Sequence, residues 1–284
     1  MNAWKFLSRS LAYYARSHLG TLMGACIASA VLTGALMVGD SVRGSLYQMA
    51  MVRLGKVDTA ILGNDRLFQE DLAQRIQDPT FAKVSPALQL PAVSALQGGD
   101  YRSNQSWLFG VKNTFWDMAT DPDPGLHPSP GEVALGVALA QQLHAQVGAT
   151  VILRVQKPSL LSPEAPLAPE EGQTVALRLK VSSIVSEAAF GRFSLQASQL
   201  PPMNAFVDLE GLQQALEIGT QTNLLLMARG NEREGDVSDS SHVLDRLQAV
   251  WSLEDSQLKW QWDPDNESKG AELRSDRVFL DDHT

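Results

Sequence analysis

Three short stretches carry the residue types of a hydrolase. Gly39-Asp40-Ser41 has the form of a turn that presents a serine nucleophile, and Gly63-Asn64-Asp65 offers an asparagine amide for an oxyanion hole. Asp239-Ser240-Ser241-His242 spaces a carboxylate and an imidazole as an acid-base pair requires. A Ser41 hydroxyl activated by His242, with Asp239 orienting the imidazole, is sound acyl-transfer chemistry. It would make the chain a membrane-anchored serine esterase of the Gly-Asp-Ser type.

The element that carries Ser41 decides between this chemistry and a structural role. A nucleophile of this kind sits where a strand ends in a sharp, exposed turn. Ser41 instead follows "LGTLMGACIASAVLTGALMVG", Leu19 to Gly39, which is 21 residues without a charge. As a helix rising about 1.5 Å per residue, that run crosses a hydrocarbon core of ~30 Å. "ALMVG" is then the last turn inside the membrane, and "DSVRG" is where the chain meets water. The other two fragments also have plainer roles. The Asn64 block lacks a spacer residue, and Asp239 and His242 fall in a polar loop entering a helix, where Asp and Ser commonly cap. The esterase is therefore the alternative reading.

A cleaved signal peptide competes with the membrane span, because Ala28-Ser29-Ala30 has the small-x-small form of a cleavage site. The apolar run continues for nine residues past Ala30, which favours an uncleaved span. Before it, Trp4, Leu7, Leu11 and Tyr14 recur at helical spacing with Lys5, Arg9 and Arg16 among the polar positions, the pattern of a helix lying at the membrane interface. These three basic residues, with no acidic residue before Asp40, place the N-terminus in the cytoplasm and the acidic bulk outside. Gly20, Gly24 and Ala28 recur every four residues and form a small-residue face where another helix could approach. The organisation expected is an interfacial helix over 1–18, a membrane helix over 19–39 and a stalk helix over 40–57, with Gly55 as its end.

The exterior, 58–284, reads as α+β. "VDTAILG" is a strand; "NDRLFQEDLAQRIQ" is a helix capped by Asn64 or Asp65; "VSPALQLPAVSALQ" and "YRSNQSWLFGV" form a hairpin around Gly98-Gly99-Asp100. Turn residues from Thr120 to Gly131 mark a boundary, so 58–125 and 220–284 are expected as one part and 126–219 as a β-rich insertion. Within the insertion, "EVALGVALAQQLHAQVG" is expected to be a helix closed by Gly148, and "ATVILRVQ" and "TVALRLKVSSIVS" are strands joined by a proline-rich loop. Then come "NAFVDL", "EGLQQALEIG", "TNLLLMARG" and "HVLDRLQAVW" as strand, helix, strand and helix, before closing strands "QLKWQW" and "RVFL".

Several functions are disfavoured. The formal charge is −9 with no Lys/Arg cluster, so there is no footprint for nucleic acid. Cys26 is the one cysteine and lies in the apolar run; the histidines at 18, 127, 144, 242 and 283 show no metal-ligand spacing, so no metal or cofactor is expected. No Gly-x4-Gly-Lys-Ser/Thr loop is present for nucleotide phosphates.

"AVLTGALMVGDSVRGSL" followed by "RLGKVDTAIL" resembles the start of FtsX-like or MacB-like permeases of ATP-binding-cassette transporters. Looser matches lie in "EVALGVALAQQLHAQVGATVILRV", in "FGRFSLQASQLPPMNAFVDLEGLQQALE" with "TNLLLMA", and in "ELRSDRVFLDD". The resemblance implies a first membrane helix, an extracytoplasmic core domain, no catalytic site, and a chain that is an N-terminal portion of a permease. The family's ATPase-coupling loop lies between later helices and matches nothing here. The partners it implies are a cytoplasmic ABC ATPase, further permease helices or a second permease copy, and membrane lipid. Such permeases export hydrophobic molecules, peptides or lipoproteins, or transmit ATP-driven motion across the membrane. A bitopic binding or sensor domain is the third reading of the same pattern.

Overall fold

The computed structural model describes residues 3–78, 81–99, 101–123, 125–158, 174–196, 198, 200–229, 240–261 and 272–275. The chain divides into two compact units, Met1–Met51 and Val52–Thr284.

The first unit is helical. Helix α1 (Ala3–Tyr13) carries Trp4, Leu7 and Leu11 exposed, and after a break at Tyr14 helix α2 (Ala15–Leu54) begins. Hydrogen bonds from Tyr14 N to Ser10 O and from His18 N to Tyr14 O carry the ladder across the break. The 40 residues of α2 make a rod of about 60 Å, twice the thickness a bilayer requires. It buries no residue within the chain, and its most apolar window has a mean hydropathy of 2.0, so it is long and apolar enough to cross a membrane. The helix continues through Asp40, Ser41 and Arg43 without interruption.

The second unit is α+β around an eight-stranded sheet. Its elements in chain order are β1 (Thr59–Leu62), β2 (Phe68–Gln69), α3 (Leu72–Arg75), β3 (Phe81–Leu96), β4 (Arg102–Val111), α4 (Asn113–Trp116), β5 (Glu132–Gly136), α5 (Val137–Leu143), β6 (Thr150–Gln156), β7 (Thr174–Val185), a π-type turn (Glu187–Gly191), β8 (Asn204–Asp208), α6 (Leu209–Leu216), β9 (Gln221–Thr222), β10 (Leu224–Arg229), α7 (Ser240–Val250), β11 (Leu258–Gln261) and β12 (Glu272–Ser275). The sheet order is β1-β10-β3-β4-β8-β5-β7-β6, and β6 pairs in turn with β3, which closes a six-stranded ring.

Strand β3 makes this closure possible through its length of 16 residues. One edge pairs with β10 up to Ala87 and with β6 from Ala92. The gap between is filled by a side chain: Gln89 N donates to Asn223 Oδ1 at 2.8 Å, and Asn223 Nδ2 donates to Gln89 O at 2.8 Å. The buried Asn223 amide thus imitates a strand partner where no described strand runs, and satisfies both backbone groups of Gln89. Pro91, two residues on and facing the same edge, needs no partner for an N–H.

The sheet is apolar on both faces. Leu88, Leu108, Leu135, Val151, Leu153, Val155, Val181 and Ala205 face one core and pack with Leu139 of α5 and Leu212 of α6, so every ring strand contributes to it. The residues that alternate with these, Ala87, Phe109, Ala134 and Phe206, face a second, aromatic cluster. A third cluster joins Phe68, Leu72, Ile76 and Phe81 to Leu225, Met227 and Val243.

Two expected helices are corrected. The stretch from Asn64 to Gln77 is helical only over Leu72–Arg75, because Phe68 and Gln69 pair with Thr222 and Gln221 as strand, and Asn64 turns at φ 51°. The stretch from Glu132 to Gly148 splits into β5 and α5, because Ala134 and Leu135 bury opposite faces of one strand, and α5 ends at left-handed His144. Strands β5 to β8, expected within 126–219, hydrogen-bond into the same sheet as β3 and β4. The expected strand "RVFL" lies outside the described residues.

Candidate functional site

The last turn of α2, Val52 to Leu54, belongs to the second unit, and there the helix gives way to the sheet. Gly55 takes φ 58°, the left-handed conformation that ends helices and favours glycine. A Cβ added to it would lie 2.6 Å from Met118 O and 2.7 Å from Phe190 Cε1, so both conformation and space exclude a side chain. Lys56 N then donates to Met118 O at 2.8 Å, and Asp58 N donates to Met227 O at 3.0 Å, just before β1 pairs with β10. Arg53 Nη1 donates to Ser198 O at 2.6 Å.

Below this backbone lock sits the aromatic cluster. Leu54 packs against it and Val57 is buried in it, among Phe109, Phe115, Trp116, Phe190, Phe193 and Phe206. Phe115 contacts four other rings at centroid separations of 4.8 to 5.8 Å, within the range where aromatic pairs attract. The cluster draws rings from α4, β4 and β8, so the end of the helix is joined to most of the sheet's second face.

A second polar anchor lies at the third cluster. The side chain of Asp255 is buried and accepts from Arg75 Nη2 at 2.8 Å, Ser252 N at 2.9 Å and Ser252 Oγ at 2.7 Å. Arg75 Nη1 also donates to Val250 O. Burial pulls the Arg75 pKa down, but hydrogen bonds and charges from Asp255 and Asp71 outweigh it and hold the pKa above the usual arginine value. The arrangement binds the segment after α7 to α3.

The residues expected from sequence fall in different places. Gly20, Gly24 and Ala28 lie exposed on α2, and among the described residues nothing comes within 4 Å of a Cβ built at Gly20 or Gly24. Ser41 is an exposed residue within the same continuous helix, so the strand-to-turn setting that the esterase alternative needs is absent there. His242 is half-buried in the first turn of α7, and Asp239 lies outside the described residues. Asn64 sits in a turn whose carbonyl accepts from Asn223 Nδ2 at 3.0 Å. Gly55 was legible as a helix end, whereas the aromatic cluster was not, since its members are scattered from Phe109 to Phe206.

The chain is similar to solved structures that include regions of two transporters and a domain of a permease. The periplasmic region of MacB from Actinobacillus actinomycetemcomitans superposes with a TM-score of 0.44 at 12% identity, covering 70% of this chain and 86% of that one. A domain of a putative permease from Porphyromonas gingivalis gives 0.39 at 10% identity, covering 72% and 76%. The extracellular domain of the noncanonic ABC-type transporter YknZ from Gram-positive bacteria gives 0.39 at 9%, covering 68% and 92%. No family model and no curated protein matches the chain.

Proposed function

We propose that the chain is a permease component of an ATP-driven ABC exporter or mechanotransmission complex, with its N-terminus cytoplasmic and its α+β domain outside. The observation that carries this reading is the continuity of α2: one 40-residue helix leads from the uncharged run to Leu54, and its last turn is locked into the aromatic core. Such a helix is suited to pass displacement to a domain, because Leu54 packs against the aromatic cluster and the residues just past it, Lys56 and Asp58, donate to Met118 O and Met227 O. A single helix encloses no path for a substrate, so translocation needs neighbouring helices, and Gly20, Gly24 and Ala28 offer the face they would pack on.

The partner that supplies energy is a cytoplasmic ATPase, since the chain has no phosphate loop of its own. Isolated from membranes under mild detergent, the tagged chain should co-purify with ATPase activity, and the purified chain alone should neither bind nor hydrolyse ATP. Gly24→Leu should weaken recovery of the membrane partner. ATP hydrolysis by the isolated chain, or a complex with no ATPase, would overturn the reading.

A further inference from the structure

We propose that Phe190 is a conformational latch: seated, its ring holds the segment by which α2 enters the domain, and unseated, it releases that segment. Phe190 has φ 74° and ψ 10°, a left-handed conformation that is an outlier for a bulky residue. Local preference therefore opposes the seated state, and packing imposes it. The ring is fully buried, lies 4.8 Å from Phe115 and 5.1 Å from Phe193 between centroids, and presents its edge to Gly55.

The turn that carries the ring is anchored at both ends. Ser186 O accepts from Ala189 N at 3.2 Å and from Gly191 N at 2.8 Å, and Arg192 Nη2 pairs with Glu187 Oε1 at 2.7 Å. Gly191 has no room for a Cβ against the carbonyls of Val185 and Ser186, so the turn is pressed directly onto the end of β7. The strained backbone is held by the buried ring together with the turn's own hydrogen bonds, so a force on α2 that withdraws Gly55 removes part of what seats the ring and favours its release. This deepens the proposed function, since it rests on α2 carrying motion.

The test is amide hydrogen exchange on the full chain in lipid nanodiscs. In Phe190→Ala, the amides of Lys56 and Asp58, which donate to Met118 and Met227, should exchange at least about tenfold faster, while those of Val151 and Val155 in β6 stay protected. Phe190→Leu, which keeps apolar volume, should show a smaller rise at the same two amides and guards against general unfolding in the alanine variant. Unchanged exchange at Lys56 and Asp58, or a rise shared equally by β6 in both variants, would overturn the latch. Exchange does not depend on an ATPase partner, so failure of the latch and failure of the permease reading are separate results.

Discussion

At the residue scale, buried polar groups mark where the domain is most easily broken. Asp255 is enclosed and accepts from Arg75 and Ser252, so Asp255→Ala removes the buried acceptor they share and leaves the Arg75 guanidinium with only Asp71 and the Val250 carbonyl. Such a loss costs about 3 kcal/mol, at the low end of the usual range because the Arg75 side chain keeps 28% of its exposure. With a denaturant slope of about 3 kcal/mol per molar, urea denaturation should show a midpoint lowered by about 1 M. Glu217 makes a weaker, exposed pair with Lys157 at 2.6 Å, and the hydrogen bond and charge of Lys157 hold its pKa below the usual 4.5. The pair's contribution is complete above that usual value and is lost as pH falls through the lowered one. Carboxylate NMR should place the Glu217 midpoint below that of a free glutamate, and Lys157→Ala should return it to the ordinary range.

At the element scale, α2 is the part whose location can be tested directly. Its 21 uncharged residues are preceded by Lys5, Arg9 and Arg16, which argues for an N-terminus held inside. Protease added outside spheroplasts should degrade the portion after Asp40 and leave the span in the membrane. A soluble exterior protein beginning near Val31 would show that the run is removed as a signal peptide. Beyond Gly39, Val42, Leu46 and Met49 stay apolar at helical spacing past the first charges. The helix runs on to Leu54, and the left-handed Gly55 ends it.

At the scale of the whole molecule, the second unit has its own three apolar clusters and a sheet whose ring closes on itself. A domain with a complete core folds without its neighbours. Residues 52–284 expressed alone should therefore give a soluble product with a cooperative thermal transition, within a few degrees of the full chain. An aggregated or non-cooperative product would show that the core depends on the helical unit.

Sequence alone determined the features whose cause is local. The long helix was legible because a membrane span is a contiguous run of uncharged residues, and Gly55 because a helix end needs a residue free to turn left-handed. Helix α6 was legible in "EGLQQALEIG", and its start is fixed locally too, since the Asp208 carboxylate accepts from Gly211 N at 2.8 Å as a cap. The tertiary structure decided what depends on distant partners. Whether Glu132–Gly136 was helix or strand turned on β7 and β8 lying alongside it, and the ring closed only because Ala92 of β3 meets Val155 of β6, far along the chain. Phe190 shows the limit most sharply: no local preference places a phenylalanine in the left-handed region, and the burial of its ring among Phe193 and, distant in sequence, Phe115 and Gly55 holds it there.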